Sequence, residues 1–255
     1  MAQTSEASES SAGGVARAKT GITSLDSILN GGIPKGNLVL LTGACGTGKT
    51  TLALETLSNA ARAGEHGVFL STTEPVSRIL ENAATYRFFD KATVGKTIHF
   101  VDASSAFESL ELESVFTPKN VDEALAWLSK TVKEKKATRL VIDSLTGICY
   151  RVGKPELVRD FTFRLGRELG ELGCTTIATV ETPAGVMAYS TFGVEEAVAD
   201  GIVLLGNHDA RGYLLRTLQV VKMRGTTHSR ARYVIDLTSH GVIMVPMLKA
   251  SMRGE

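Results

Sequence analysis

Residues 38–51 read LVLLTGACGTGKTT, and this segment carries the strongest structural signal in the sequence. It opens with the apolar run 38–41, which lacks polar alternation and is therefore typical of a strand covered on both faces. The eight residues after Thr42 fit the pattern G-x-x-x-x-G-K-[ST], and residues 50–63 have helical periodicity. A buried strand, a glycine-rich loop and a helix in this order predict a phosphate-binding loop.

The chemistry of such a loop requires these residue types. Glycines let the backbone wrap a phosphate with its N–H groups pointing inward, and the helix N-terminus adds positive potential. Lys49 can reach the β and γ phosphates of a nucleotide, and the Thr50 hydroxyl can bind Mg²⁺. The predicted nucleotide-binding residues are Gly43, Ala44, Cys45, Gly46, Thr47, Gly48, Lys49, Thr50 and Thr51. The alternatives are a glycine-rich turn without a ligand and, for Cys45, either a reactive thiol or a tolerated residue.

A carboxylate follows the apolar run 140–142, at Asp143. At the end of a neighbouring buried strand, such a carboxylate can hold the Mg²⁺ shell of a nucleotide, often through water. The predicted metal ligands are therefore Thr50 and Asp143. The alternative is that Asp143 only caps a turn.

Hydrolysis also needs a group that orients the attacking water near the γ phosphate. Glu74 follows the strand predicted at 68–71 and is the best placed acid, because adjacent strands of such sheets end on the same edge. Glu181 follows the strand predicted at 176–180 and could sense the γ phosphate or connect the site to the next loop. Each of the two could also be a surface carboxylate without a role.

The chain alternates apolar runs with helical stretches, which predicts an α/β fold with a doubly wound, mostly parallel sheet. Further strands are predicted at 68–70, 98–101, 140–142, 176–180 and 202–205, and further helices at 121–135 and 156–173. The C-terminal part reads as a turn at 207–212 and antiparallel strands at 213–223, 233–237 and 242–245, which extend the same sheet.

The composition is that of a globular chain: 255 residues with 43% hydrophobic and 22% charged side chains. With 28 basic and 27 acidic residues the net charge is +1, so any polyanion must be bound by a local arrangement. No apolar run approaches the roughly 20 residues of a membrane span, and the N-terminal segment lacks the apolar centre of a secretory signal. Three distant cysteines offer neither a disulfide framework nor a zinc site. We expect a cytoplasmic protein without membrane insertion.

The N-terminal segment 1–18 is rich in Ser, Ala, Gly and Glu. Such a segment cannot bury enough apolar surface to offset its ordering entropy. We therefore expect a disordered tail at 1–18, one domain at 19–248 and a short C-terminal tail at 249–255.

Several motifs jointly resemble the RecA-type P-loop ATPases and, within them, the KaiC-like proteins of bacteria and archaea. They are GITSLD at 21–26, GGIPKG at 31–36, the phosphate-binding loop, LVIDS at 140–144, GVEE at 193–196 and KMRGTTH at 222–228. The resemblance runs from about residue 20 to residue 246 and implies a single RecA-like domain that binds and hydrolyses ATP with Mg²⁺.

The resemblance also implies a homo-oligomeric ring, a hexamer, with ATP at each subunit interface. Lys222 and Arg224 would then reach the γ phosphate of the neighbour's ATP, where transition-state charge builds. The further implied contacts are Thr226 and His228 from the same segment, Thr85 and Tyr86 near the base, and Thr238 and Ser239 near the nucleotide on the neighbour's side. The implied catalytic residues are Lys49, Glu74, Asp143, Glu181 and Arg224. The alternative for residues 222–232 is a solvated basic hairpin.

Two departures from the family pattern bear on activity. Members usually carry two adjacent acids, the first of them commonly taken as the catalytic base, where this chain has Thr73 and Glu74. Hydrolysis is therefore expected to be slow or to depend on Glu74 alone. The autokinase domain of the clock protein has adjacent Ser and Thr where this chain has Glu196 and Ala197, so no autophosphorylation is expected there.

Two other functions remain open. One is an ATP-binding module that hydrolyses weakly and signals by assembly, like the archaellum motor subunit, which has a similar single Glu. The other is a recombinase paralogue that modulates DNA repair. Residues 182–199 contain no Lys or Arg, which argues against strong single-strand binding, since phosphate contacts supply most of that affinity. The process driven by ATP and any protein partner leave no readable motif.

Overall fold

A mixed sheet organises the protein, and β3 lies near its middle. The structure, a computed structural model, describes residues 15–112, 114–186, 188–210 and 212–247. In this part of the chain β1 (Arg17–Ala18) and β2 (Ile33–Pro34) form a small antiparallel pair. The main sheet contains β3 (Leu38–Gly43), β4 (Gly67–Ser71), β5 (Ile98–Asp102), β6 (Arg139–Asp143), β7 (Thr175–Glu181), β8 (Gly201–Ala210), β9 (Tyr213–Met223), β10 (Arg232–Thr238) and β11 (Gly241–Pro246).

The helices connect the parallel strands. They are α1 (Thr23–Ile28), α2 (Lys49–Arg62), α3 (Val76–Ala83), α4 (Ala103–Ser109), α5 (Pro118–Glu134), α6 (Leu145–Val152), α7 (Pro155–Glu171) and α8 (Glu195–Val198), with a 3₁₀ turn at Lys91–Thr93. In the part of the chain that the structure describes, none of them is both long enough and apolar enough to span a bilayer.

The strand order across the sheet is β11-β10-β9-β8-β3-β7-β6-β4-β5. The six strands from β8 to β5 run parallel to one another, and β9, β10 and β11 continue the sheet in antiparallel pairing. The α/β fold with a mostly parallel sheet and antiparallel C-terminal strands is therefore confirmed.

The core has two halves, one on each face of the sheet. Successive side chains of a strand point to opposite faces, so in β3 Val39 and Leu41 join the half that contains α1, α2 and α3. Leu38 and Leu40 join the other half, which contains α4, α5, α6 and α7. All four β3 side chains are buried, which explains why the sequence shows no polar alternation here.

The parallel register defines two edges of the sheet. We call the carboxyl edge the one at which β3, β4, β6 and β7 end, with Gly43 paired to Glu181 and Ser71 paired to Asp143. The amino edge is the opposite one, where β3 begins at Leu38 and β8 at Gly201. Loops at the two edges are separated by the length of a strand.

One predicted turn is wrong. Residues 207–210 continue β8, and Asn207 pairs with Arg216 while Ala210 pairs with Tyr213. Asn and Asp favour turns because their side chains bond nearby backbone groups, yet here the cross-strand ladder satisfies the backbone. The chain reverses between Ala210 and Tyr213, where Gly212 takes a φ of 85° that suits a tight hairpin.

The predicted disordered tail is too long at its C-terminal end. Arg17 pairs with Pro34 and Ala18 with Ile33, and Ala18 is buried. Strand pairing with 33–34 gives this polar-looking segment backbone partners that its composition does not reveal. Residues 1–14 and the expected tail 249–255 lie outside the described residues.

A buried carboxylate attaches the last strand to α2. Glu55 Oε2 accepts a hydrogen bond from the Val242 N–H at 2.8 Å. A side chain at Gly241 would collide with this carboxylate, since its Cβ would lie 2.3 Å from Glu55 Oε1. Burial raises the pKa of Glu55 to about 7, although the Val242 N–H and the charge of Arg62 oppose the shift.

Glu55→Gln is expected to change how stability depends on pH. Because the folded-state pKa is raised, the folded protein retains a proton that the unfolded chain loses between about pH 4.5 and about pH 7. Stability from this group is complete below pH 4.5 and is lost as the pH rises through 7. The variant should therefore gain about 1–2 kcal/mol in urea unfolding at pH 8 and almost nothing at pH 4.5. Equal effects at both pH values, or an equal gain from the exposed Glu81→Gln, would contradict this.

Candidate functional site

The glycine-rich loop lies at the carboxyl edge, between β3 and α2, as predicted. α2 begins at Lys49, and Gly48 precedes it with a φ of 98°, in the left-handed region. A Cβ at Gly48 would lie 2.5 Å from Leu237 Cδ1, so the close approach of β10 also requires glycine here. The loop backbone therefore leads directly into the positive end of a 14-residue helix.

Lys49 folds back over the loop. Its Nζ donates to Gly43 O at 2.8 Å and to Ala44 O at 3.0 Å, and Thr47 Oγ1 donates to Ala44 O at 2.8 Å. The side chain is mostly buried. Burial lowers the pKa of Lys49, and the negative charges of Glu181 and Asp143 oppose the shift. The ammonium group therefore contacts the loop and interacts with the charge of two carboxylates.

Asp143 and Glu181 end neighbouring strands at this edge. Thr179 Oγ1 donates to Asp143 Oδ1. Thr72 follows the neighbouring strand β4, and its Oγ1 donates to the carbonyl of Ser144, the residue after Asp143, at 2.9 Å. Glu181 is in register with Gly43, and its N–H donates to Thr146 Oγ1 at 2.9 Å. The structure thus brings Lys49, Asp143 and Glu181 together, as the sequence predicted.

Glu74 lies on the other side of the α2 N-terminus. It lines a pocket of about 320 Å³ together with Thr50, Thr51, Leu54, Ile79, Asn82, Ala83, Thr85 and Tyr86. Arg78 Nε is 3.2 Å from Glu74 Oε1, and Tyr86 Oη is 3.4 Å from Thr51 Oγ1. The pocket therefore contains the predicted metal ligand Thr50 and Glu74, the acid predicted to orient the water. It also contains Thr85 and Tyr86, which were expected near the nucleobase of ATP.

Lys222 and Arg224 lie at the amino edge, away from the loop of their own chain. Lys222 pairs with Ile202, and the Arg224 N–H donates to Asp200 O at 2.8 Å, next to the start of β3. Gly43 is five residues further along β3 than Leu38, so about 16 Å separates the two levels at roughly 3.3 Å per residue. Arg224, which is level with Leu38, cannot reach the chain's own glycine-rich loop. Lys222 is level with Leu40, and its ammonium group is turned away from the loop, toward the carbonyls at the end of α8.

Both cations are held by the end of α8. Lys222 Nζ donates to Glu196 O at 3.0 Å and Ala199 O at 2.6 Å. Arg224 donates to Ala197 O and Val198 O, each at 3.3 Å, and its Nη1 is 3.4 Å from Asp200 Oδ1. Burial and the neighbouring Arg224 lower the pKa of Lys222. These contacts fix the pair at the surface of the amino edge.

The rest of that segment follows the amino edge. Thr226 Oγ1 donates to Leu29 O at 3.4 Å, and the Ser229 N–H donates to Ile28 O at 2.9 Å, just after α1. His228 Nδ1 lies 3.1 Å from Ser229 O. The structure therefore places Thr226 and His228 beside Arg224, and none of them beside the loop.

Thr238 and Ser239 were expected on the neighbour's side, and the structure places them on the chain's own loop side. The Arg87 N–H donates to Ser239 O at 2.7 Å, next to Tyr86, and Thr238 Oγ1 donates to Gly241 O at 2.8 Å. The reason is the curl of β10 and β11 over α2, which the Glu55 contact with Val242 anchors.

No sequence motif pointed to Arg216. This residue of β9 donates from Nε to Gly46 O at 3.2 Å and so contacts the loop. Its position depends on the pairing of Arg216 with Asn207 in the hairpin of β8 and β9. Asn207 belongs to the segment that the sequence predicted to be a turn. Thr146 and Thr179 were missed for a different reason, because isolated hydroxyls form no sequence motif.

The residues present fit a magnesium nucleotide. The loop supplies backbone N–H donors at a helix N-terminus, and Lys49 supplies a cation beside them. Thr50 is exposed at the start of α2, and Asp143 is partly exposed, so both oxygens are accessible. Among the described residues no three His, Cys, Asp or Glu side chains form a metal cluster. Thr50 and Asp143 form a donor set that suits Mg²⁺, which commonly takes one or two protein oxygens and the phosphates of its substrate.

A comparison with known proteins agrees with this geometry. A family model described as the KaiC ATPase matches residues 18–249. The chain belongs to the KaiC ATPase family. A UPF0273 protein of Pyrococcus horikoshii is 36% identical over 235 residues, which are 90% of this chain and 94% of that relative. A UPF0273 protein of Thermotoga maritima is 33% identical over 91% of this chain and 97% of its own length.

Two further similarities place the chain within this KaiC family. The circadian clock oscillator protein KaiC of Prochlorococcus marinus is 32% identical over 96% of this chain, which corresponds to 49% of the clock protein. The crystal structure of a KaiC-like protein from Pyrococcus horikoshii matches with a TM-score of 0.77 and 35% identity, over 91% of this chain and all of that one. The predicted RecA-type fold and the resemblance to KaiC are therefore confirmed, and family membership indicates ATP binding.

Proposed function

We propose that the protein is a Mg²⁺-dependent ATPase that acts as a homo-oligomeric ring, a hexamer, with ATP at each subunit interface. The observation that carries this proposal is the position of Arg224 at the amino edge, about 16 Å along the sheet from the glycine-rich loop of its own chain. A site that needs both groups requires two subunits.

The two edges suit a head-to-tail contact. The carboxyl edge of one subunit offers the loop, Asp143 and Glu181, and the amino edge of the next offers Lys222 and Arg224. Such a contact uses two different surfaces, and a repeated heterologous contact closes into a ring when the rotation between subunits permits. Arg224 supports this reading because its side chain is 54% exposed, which leaves part of the guanidinium available to a neighbour.

Each residue then has a role in binding or hydrolysis. The loop N–H groups and Lys49 bind the β and γ phosphates, and Thr50 and Asp143 hold the metal, with Thr179 orienting the Asp143 carboxylate. When bound, Mg²⁺ neutralises phosphate charge and polarises the γ-phosphoryl group. Arg224 of the neighbour stabilises the charge that builds on the γ oxygens, and a carboxylate orients the water.

Glu74 is the better candidate to orient the water. It lines the same pocket as Thr50, and its side chain is 36% exposed, so its carboxylate is accessible to a water molecule in that pocket. Glu181 instead lies beside Lys49 and the loop, and its backbone is held by Thr146. We assign Glu181 to sensing the state of the loop.

Mixing two inactive variants tests the action between subunits. Lys49→Ala should lose ATP binding, and Arg224→Ala should bind ATP without hydrolysing it. In rings co-assembled from equal amounts of both, one kind of interface has an intact loop and an intact neighbouring arginine. Phosphate release should therefore recover to about one quarter of the wild-type rate if subunits mix at random. Mixed rings that stay inactive, or an active Arg224→Ala ring, would contradict the proposal.

Glu74→Gln should lower kcat by about 100-fold or more, because the amide cannot take the proton of the water, while ATP affinity changes little. The control is Glu81→Gln, an exposed acid in α3, the helix that follows Glu74, and it should leave kcat unchanged. The kcat is measured by phosphate release, and the ATP affinity is measured by fluorescent-nucleotide binding. A Glu74→Gln enzyme with normal kcat would assign the water to another group.

Thr73 favours a second candidate function, a weakly hydrolysing ATP-binding module that signals by assembly. Thr73 lies against α6, since a Cβ at Gly147 would be 3.5 Å from Thr73 Cγ2, and it offers no carboxylate close to Asp143. In the same assay, Thr73→Glu separates the two functions. A rise in kcat of more than about tenfold would support the weakly hydrolysing module, and a change within about twofold would support the ATPase.

A further inference from the structure

We propose that Glu181 and residues 190–200 couple each ATP site to the next one around the ring, and that Thr191 is the positioning residue on which this coupling depends. The inference rests on the proposed function, because it needs ATP at the carboxyl edge and Arg224 acting on a neighbour. It concerns how one site regulates another, which the hydrolysis scheme alone does not address.

The path begins at the chain's own ATP site. Glu181 is in register with Gly43, its charge acts on Lys49, and its N–H is bound to Thr146 in α6, the helix that follows Asp143. Added γ-phosphate charge competes with the Glu181 carboxylate for Lys49 and repels that carboxylate. The position of Glu181 therefore depends on whether triphosphate or diphosphate is bound.

Thr191 joins the two ends of the loop that follows Glu181. Its Oγ1 donates to Glu181 O at 2.7 Å, across ten positions of sequence. The contact is to the main chain of Glu181, so a displacement of that residue reaches Thr191 directly. A shift of Glu181 is thereby passed to residues 190–192 without traversing the intervening loop.

The next segment is a tight polar turn. Ser190 Oγ donates to the Glu196 carboxylate and accepts from the Gly193 N–H at 3.1 Å. Glu195 is only 1% exposed, and its carboxylate accepts from the N–H groups of Phe192 at 3.4 Å and Val194 at 3.1 Å. These bonds tie the turn to the first two residues of α8, so the turn and the helix move as one unit.

The path ends at the cations that face the neighbour. The C-terminal carbonyls of α8 accept from Lys222 and Arg224, so a shift of α8 displaces both. Asp200 gives the unit a fixed point, because its Oδ2 accepts from the Leu38 N–H at 3.0 Å while its Oδ1 contacts Arg224. Movement about Asp200 would change how Arg224 is presented to the next ATP. Polar contacts thus connect the two edges of one subunit.

The test compares Thr191→Val with Thr191→Ser in the full-length protein. Valine keeps the shape of threonine and removes the donor to Glu181 O, whereas serine keeps the donor. Phosphate release is measured against ATP concentration, with native mass recorded in the same buffer. Wild type and Thr191→Ser should give sigmoidal curves with a Hill coefficient of about 2, and Thr191→Val should give a coefficient of about 1 with kcat within about threefold. If Thr191→Val does not fold, Ser190→Ala carries the same expectation.

The outcomes separate this inference from the proposed function. A wild-type ring that hydrolyses ATP with a coefficient of one, or a Thr191→Val ring that keeps the wild-type coefficient, overturns the coupling and leaves the ATPase intact. A wild-type protein that stays monomeric with ATP and Mg²⁺, or releases no phosphate, overturns the proposed function and the coupling with it. A lower kcat with an unchanged Hill coefficient assigns Thr191 a merely structural role and also overturns the inference.

Discussion

The parallel placement of β3 between β7 and β8 is the constraint on which the rest of the molecule depends. Because β3 is buried on both faces, its direction and register are fixed, and the glycine-rich loop can occur only at its carboxyl end. The same register puts Glu181 level with Gly43, and it puts Asp200 and Arg224 level with Leu38. Phosphate-binding groups and the cation pair are therefore held at opposite edges of one rigid sheet. In the proposed ring, Arg224 therefore acts on the glycine-rich loop of a neighbouring subunit.

Local patterns were sufficient to predict the centre of this arrangement. The apolar runs around β3, β6 and β7 match the observed strands to within one or two residues, since strands buried on both faces leave an unambiguous signature. Lys49, Asp143 and Glu181 come together because each ends or follows such a strand, and parallel strands end at one edge. That part of the site needed no knowledge of side-chain packing.

The features that sequence reading missed depend on distant pairing. Residues 207–210 contain Asn and Asp and resemble a turn, yet they complete a hairpin whose partner strand brings Arg216 to Gly46. Arg17 and Ala18 look like part of a disordered tail, yet residues 33–34 supply their partners. Thr238 and Ser239 lie on the side of the chain's own glycine-rich loop because Val242 of β11 bonds to Glu55, a contact between positions 187 residues apart. In each case the deciding interaction is one that no local window contains.

The proposed contact joins the amino edge of one subunit to the glycine-rich loop of the next, and a cross-link measures it directly. Cys45 is exposed in the loop, whereas Cys149 and Cys174 are buried. Thr227 is exposed at the amino edge, so Thr227→Cys places a second accessible thiol there. With ATP, Mg²⁺ and a short bis-maleimide, the variant should give a ladder of covalent oligomers that ends at the mass of the ring, and the ladder should vanish when Cys45 is replaced by serine. Assembled protein that yields only uncross-linked monomer would contradict the account.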